Sequence, residues 1–181
     1  MQRKTESAAA YDERYCMKKG ITHIFCGEGK GKTPAAIGMG IQAAIAGKRV
    51  IIIEFLKGRY DGRSEFIQRL EPDVKLFRFE RSETGFDSLT EKQRQEECQN
   101  IRNGLNFAKK VLSTQGCEVL ILDELIGLPA AGIISWEEIR SLMKLRDEEM
   151  NLIITGNEQG KELWDLADEI TVMQSIAHEK R

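Results

Sequence analysis

The chain has 181 residues, 41% hydrophobic and 31% charged, enough to bury a core without a structural metal or disulfide. Its net charge of −2 excludes a global pull toward nucleic acid or an anionic membrane, so any basic site must be local. Cys16, Cys26, Cys98 and Cys117, with His23 and His178, have no zinc-ligand spacing and read as reduced thiols of a reducing compartment.

Residues 1–19 are polar and aperiodic, an N-terminal leader without the apolar stretch of a signal peptide. No uncharged apolar run approaches the ~18 residues of a membrane span, so the cytoplasm is the expected compartment. From Gly20 to the end, residues 20–181 read as one α/β domain. The spacing predicts a strand over 21–26, a helix over 33–46 and a strand over 50–55. The unbroken Val50-Ile51-Ile52-Ile53 run implies burial on both faces, as in a parallel sheet. A third strand is expected over 74–79. Thr90 and Gln93, at capping-box spacing, open a helix whose apolar stripe is Cys98, Ile101, Leu105, Ala108 and Leu112. The charges over 91–97 read as its solvated face.

A strand over 119–122 ends in Asp123-Glu124. Ser135 and Glu138 form a second capping box, for a helix to about Leu145. A strand over 152–155, a short helix over 161–167 and a strand over 170–173 complete the alternation. Trp136 and Trp164 read as core or half-buried anchors, and Phe77 and Phe79 as core. The pattern predicts a three-layer, phosphate-loop NTPase-like fold with a mostly parallel central sheet.

Cys26-Gly27-Glu28-Gly29-Lys30-Gly31-Lys32-Thr33 lies between the first strand and the first helix. Glycines there let backbone amides curl around phosphate oxygens, and the helix N-terminus points its unpaired N–H groups at the same anion. Lys32 supplies a point charge near the β- and γ-phosphates, and Thr33 a hydroxyl for Mg²⁺. The loop is one residue shorter than the common G-x-x-x-x-G-K-[ST] spacing, because five positions before Gly31 stands Cys26. Pro34 falls in the first helical turn, where its missing N–H breaks no helix bond. Asp123 and Glu124, at the carboxyl end of a buried strand, suit a hard cation that bridges phosphates.

With these motifs placed, the chain from about Gly20 to about Met173 resembles the ATP:corrinoid adenosyltransferases of cobalamin synthesis and salvage. The resemblance rests on the shortened loop followed by Ala35-Ala36-Ile37-Gly38. It continues through Glu54-Phe55-Leu56-Lys57-Gly58, Thr84-Gly85-Phe86, Leu122-Asp123-Glu124-Leu125, Ile154-Thr155-Gly156 and Ala167-Asp168-Glu169. It implies transfer of the 5′-deoxyadenosyl group of ATP to the Co(I) of a reduced corrinoid, with release of triphosphate. It further implies a homodimer, a flavoprotein as the source of electrons, and Mg²⁺ (or Mn²⁺) with the ATP. On the matching positions, ATP falls to Gly27, Glu28, Gly29, Lys30, Gly31, Lys32, Thr33 and Pro34. The metal falls to Thr33, Asp123 and Glu124, catalysis to Lys32 and Glu124, and the corrinoid to Phe86. Co(I) is itself a strong nucleophile, so the protein needs no side-chain base. It must position ATP and stabilise a charged leaving group.

The chain departs from the family pattern at several places. Pro34 stands where a second Thr is usual, Glu54 where Gln is frequent, and Asn157 where Arg is frequent. Asp87-Ser88 follows Phe86 where a Trp is often found, and Gly62-Arg63-Ser64-Glu65 fits the family's Gly-Glu pair only with an insertion. The sequence stops at His178-Glu179-Lys180-Arg181, short of the usual glycine-containing tail. Two other readings remain open on the residues alone: another phosphate-loop kinase or NTPase, and a non-catalytic protein that binds ATP or a corrinoid. No Asn-Lys-x-Asp guanine motif is present, and Arg59, Arg63 and Arg69 are the candidates for an arginine-rich lid.

Overall fold

The computed structural model describes residues 19–57, 63–82 and 86–176. The expected leader up to residue 18, Gly58, Arg59, Gly62, Thr84, Gly85 and the tail over 178–181 lie outside the described residues.

Six strands, β1 (Thr22–Cys26), β2 (Val50–Glu54), β3 (Val74–Arg78), β4 (Val119–Asp123), β5 (Asn151–Thr155) and β6 (Glu169–Val172), form one sheet in the order β3-β2-β4-β5-β1-β6. Every pairing is parallel, so the "mostly parallel" expectation sharpens to all parallel. Such strands need cover on both faces, and the side chains divide accordingly. Ile24, Cys26, Ile53, Leu120, Leu122, Leu152 and Ile154 join one buried cluster, while Phe25, Val50, Ile52, Val119, Ile121 and Ile153 join the other. This period-two division within each strand makes the three layers. Each buried Val, Leu, Ile or Phe side chain among them contributes roughly 1.5–3 kcal/mol.

The first cluster is covered by α3 (Glu91–Thr114), through Ile101, Leu105, Ala108 and Leu112, and by α5 (Trp136–Met143), through Ile139 and Leu142. The second is covered by α1 (Lys32–Ile45), through Ala36. Gly40 brings α1 close to the sheet: a Cβ there would lie 2.9 Å from Ile121 Cδ1. Both expected capping boxes form, Thr90 with Gln93 and Ser135 with Glu138. Trp136 and Trp164 are half-buried, and Trp164 Nε1 donates to Gln159 O at 3.0 Å. Phe77 and Phe79 pack on Phe107, with ring centroids 4.6 and 5.7 Å away.

Four expectations need correction. Two short helices, α2 (Arg63–Gln68) and α4 (Gly127–Ala130), were not expected; neither is long enough to show a helical period. The segment Lys161–Leu166 is helical but of the 3₁₀ type. β5 and β6 each begin one residue before the expected start, at Asn151 and Glu169. Glu97 does not belong to a solvated face: it is 6% exposed and accepts hydrogen bonds from the Arg81 and Ser82 amides at 2.8–3.1 Å. Among the described residues, no helix is long and apolar enough to cross a membrane.

The strand order positions the site. β5 lies between β1 and β4, and register pairs Phe25 with Thr155 and Glu54 with Asp123. The carboxyl ends of β1, β2, β4 and β5 therefore share one edge, where wound α/β sheets collect ligands.

Candidate functional site

The turn from β1 to α1 is built on glycine. Gly27 (φ 94°) and Gly31 (φ 110°) adopt backbone that side-chain-bearing residues rarely enter. Gly29 lies against the segment after β6, donating its N–H to Met173 O at 2.9 Å. A Cβ at Gly29 would come within 2.6 Å of the Met173 and Gln174 backbone. Met173 N–H in turn donates to Cys26 O at 2.8 Å, so the residue after β6 braces the start and the middle of the loop. No described side chain caps the N-terminus of α1 and its first turn carries no acid, which leaves its N–H groups for an anion.

Lys32 is 6% exposed and donates to Gly27 O and Gly29 O, both at 2.6 Å. Two of its three N–H groups thus lock the loop's curvature, and the third remains to meet an oxyanion. Glu28, Lys30 and Pro34 are exposed. Lys30 N–H is 3.3 Å from Ser175 Oγ.

Thr33 and Asp123 meet across the edge of the sheet. Thr33 Oγ1 donates to the Asp123 carboxylate at 2.8 and 3.1 Å, and Thr155 Oγ1 donates to the same carboxylate at 2.6 Å. Asp123 is fully buried, a position a carboxylate tolerates only with such partners. A third partner is Lys57, just beyond β2, whose Nζ lies 2.9 Å from Thr33 Oγ1 and forms an ion pair with Asp123 Oδ2.

Glu124 diverges from its neighbour. It adopts φ 61°, its N–H donates to Thr155 Oγ1 at 2.9 Å, and its carboxylate accepts from Asn157 N–H at 3.2 Å. Among the described contacts Asp123, not Glu124, touches Thr33. No cluster of three His, Cys, Asp or Glu side chains able to hold a metal occurs among the described residues. A cation bound here would draw on the hard oxygens of Thr33 and Asp123 and on phosphate, a donor set that suits Mg²⁺.

Phe86 opens a 3₁₀ turn, Phe86–Ser88, and is half-buried; the Arg94 guanidinium carbon lies 5.7 Å from its ring centroid. It shares the wall of a small cavity with Lys57, Leu56, Glu80 and Glu97. Glu80 Oε1 accepts from Leu56 N–H at 2.7 Å, and burial pushes this carboxyl up to about 7. The β1–α1 turn and the Phe86 cavity therefore meet at Lys57. On the other side of the loop an open cleft of about 760 Å³, lined by residues including Gly27, Glu28, Asn157 and Gln174, is of a size for a small ligand.

Sequence reasoning singled out Thr33 and Asp123, and the structure brings them together. Lys57 and Thr155 stood within quoted family motifs without a role of their own, and Glu80 was not singled out. The available signal was position: Thr155 closes β5 and Lys57 follows β2 at the ligand-collecting edge, where polar residues after buried strands merit notice.

The family model for ATP:corrinoid adenosyltransferases, BtuR/CobO/CobP, matches residues 18–181. The corrinoid adenosyltransferase of Escherichia coli (strain K12) is 31% identical over 171 residues, covering 94% of this chain and 82% of that protein. Corrinoid adenosyltransferase CobA of Salmonella typhimurium (strain LT2) is 30% identical, covering 89% of this chain and 80% of that one. Among solved structures, the KaiC-like protein PH0186 from Pyrococcus horikoshii OT3 superposes with a TM-score of 0.53 at 16% identity, over 85% of this chain and 71% of its own. That likeness shows the fold alone.

Proposed function

The chain belongs to the ATP:corrinoid adenosyltransferase family, and on that premise we propose that it transfers the 5′-deoxyadenosyl group of ATP to the Co(I) of a reduced corrinoid. The observation that carries this reading is the loop Gly27–Thr33, with Lys32 buried in its curve and Thr33 held against Asp123. That arrangement grips a polyphosphate and offers no side chain poised as a nucleophile. The cobalt electron pair attacks C5′ of the ribose, the C5′–O bond breaks, and triphosphate leaves with that bond's electrons. Cobalt is oxidised from Co(I) to Co(III) as the Co–C bond forms.

In this reading the Gly31 amide, the uncapped N–H groups at the start of α1 and the Lys32 ammonium bind the phosphate oxygens, while Gly29, its N–H held by Met173 O, and Lys30 shape the loop around them. They stabilise the charge that develops on the leaving group. Glu28 and Pro34 border the nucleotide. Thr33 and Asp123 would hold Mg²⁺ or Mn²⁺, which when bound supplies further neutralisation of the triphosphate; Glu124 shapes the turn beside it. Phe86 faces the corrinoid, so C5′ must lie between the loop and Phe86. The enzyme works as a cytoplasmic homodimer, and electrons reach the corrinoid from a flavoprotein; family resemblance supports these last points.

The test is incubation with Mg-ATP and chemically reduced Co(I) cobalamin without oxygen, following the light-sensitive adenosylcobalamin spectrum and triphosphate together. Product formation that Lys32→Ala loses supports the reading. ATP binding that needs Lys32 but yields neither product, with cobalamin or with other corrinoids, overturns it in favour of a nucleotide-binding protein without transfer.

A further inference from the structure

Asp123 already receives hydrogen bonds from Thr33 and Thr155, so a lysine is not required merely to satisfy its oxygens. Yet the Lys57 ammonium sits against both Thr33 Oγ1 and Asp123 Oδ2. These are the two protein oxygens that a divalent cation at this site would use, at metal–oxygen distances of about 2.1 Å. A metal ion so placed and the Lys57 Nζ would overlap and carry the same sign of charge. The seat admits one of them at a time.

We propose that Lys57 is a tethered cation competing with the divalent metal for the seat between Thr33 and Asp123, yielding it when metal arrives on the nucleotide. The inference rests on the assignment of Thr33 and Asp123 as metal-binding oxygens.

The local structure suits such an exchange. Leu56, in left-handed backbone (φ 57°), has its N–H fixed on Glu80 Oε1, so the residue before Lys57 is anchored while the four-carbon stem stays free to swing. The Lys57 side chain is 22% exposed, against 1% for Asp123, and it borders the Phe86 cavity. The ammonium can therefore leave Asp123 without moving the strand. Occupation by lysine keeps a buried carboxylate paired until metal and triphosphate come together. The displaced ammonium then stands beside the phosphates as a positioning charge. The consequence is that metal alone binds poorly and metal with nucleotide binds well.

The experiment is titration of the protein with Mn²⁺ alone, reading free Mn²⁺ by electron paramagnetic resonance. The proteins are wild type, Lys57→Gln, Lys57→Met, Lys57→Arg and Lys57→Gln/Asp123→Asn, each checked for folding by circular dichroism. Lys57→Gln is included because it keeps a polar group beside Thr33 should Lys57→Met unfold. The expected result is Mn²⁺ affinity at least tenfold above wild type in Lys57→Gln, little change in Lys57→Arg, and loss of the gain in the double variant. A gain under threefold in a folded neutral variant overturns the competition. A gain that survives Asp123→Asn overturns it differently, by placing the metal elsewhere and with it refuting the Thr33–Asp123 assignment. Neither nucleotide nor corrinoid is present, so a failure of adenosyl transfer cannot produce these outcomes.

Discussion

The Thr33 hydroxyl donates to the Asp123 carboxylate at 2.8 Å across 90 positions of sequence. Thr33 lies in the first turn of α1 and Asp123 ends β4, and β5 stands between β1 and β4 in the sheet. The contact bridges that intervening strand, and Thr155 at the end of β5 supports it from below by its own bond to Asp123. The two residues proposed to hold the metal are thus preassembled by topology, an arrangement that would limit reorganisation on binding a charged substrate.

Thr33→Val and Thr33→Ser separate the hydroxyl from the bulk of the side chain. Valine keeps the shape but leaves the buried Asp123 one donor short. Adenosyl transfer is expected to fall by about 100-fold, the order seen when one stabilising group is lost from a charged site, with serine within a few-fold of wild type. Steady-state rates over a series of Mg²⁺ concentrations check this. Equal loss in both variants would show that the hydroxyl is not the operative feature.

Gly29→Ala tests the bracing of the loop by the segment after β6. Its Cβ would meet backbone atoms of Met173 and Gln174 at 2.6 Å, and backbone cannot rotate aside as a side chain can. The loop must lift, losing the 2.9 Å Gly29-to-Met173 bond and the Lys32 cradle. ATP affinity is expected to drop at least about tenfold, while the cost to stability stays within the ~1–3 kcal/mol of local overpacking. Titration with a fluorescent ATP analogue alongside thermal melts distinguishes this from global unfolding.

The glycine-rich turn between β1 and α1 and the acid-tipped strand β4 were legible because each is a contiguous string with a strong local conformational signal. What was not legible depends on the strand order. Lys57 and Thr155 lie in quoted motifs, but neither acquires a partner until register sets Glu54 beside Asp123 and β5 is placed between β1 and β4. Glu97 was misread because a charge-rich stretch hides which residue turns inward, and its partners, the Arg81 and Ser82 amides, belong to a separate loop. The helix Arg63–Gln68 spans 6 residues, less than two turns, and a periodic signal needs more.

Glu54 and Arg78 form a buried ion pair at the ends of β2 and β3, with side chains 0% and 10% exposed. Burial raises the Glu54 carboxyl above its ordinary range, and Arg78 acts against that rise. Arg78→Met strands the acid, and the expected loss is about 3–5 kcal/mol in urea unfolding at pH 8. The loss should be smaller at pH 5, where Glu54 takes up a proton instead of remaining charged. Adding Glu54→Gln should recover most of the stability. A double variant as unstable as Arg78→Met would mean that Arg78 acts through its packing and not through the pair.

Glu80 provides a pH-dependent stability signature. Burial raises its carboxyl from 4.5 to about 7, and its Oε2 has no hydrogen-bond partner among the described residues. Between these two values the folded protein retains a proton that the unfolded chain has released. Stability is therefore greatest relative to an untitratable side chain below about pH 4.5, falls as pH rises to about 7, and levels off above it. The difference of about 2.5 pKa units corresponds to an order of 3 kcal/mol at 1.36 kcal/mol per unit. Glu80→Gln retains the acceptor for the Leu56 N–H and cannot ionise. It is expected to match wild type near pH 5 and to exceed it at pH 8 by about 2–3 kcal/mol, roughly 5 °C or more in Tm for a chain of this size. Other titrating groups are common to both proteins and cancel in the difference. A difference in Tm that stays flat from pH 5 to pH 8 would show that Glu80 ionises in the folded protein as it does in the unfolded chain, and that the wall between Leu56 and Phe86 is wetter than its burial indicates.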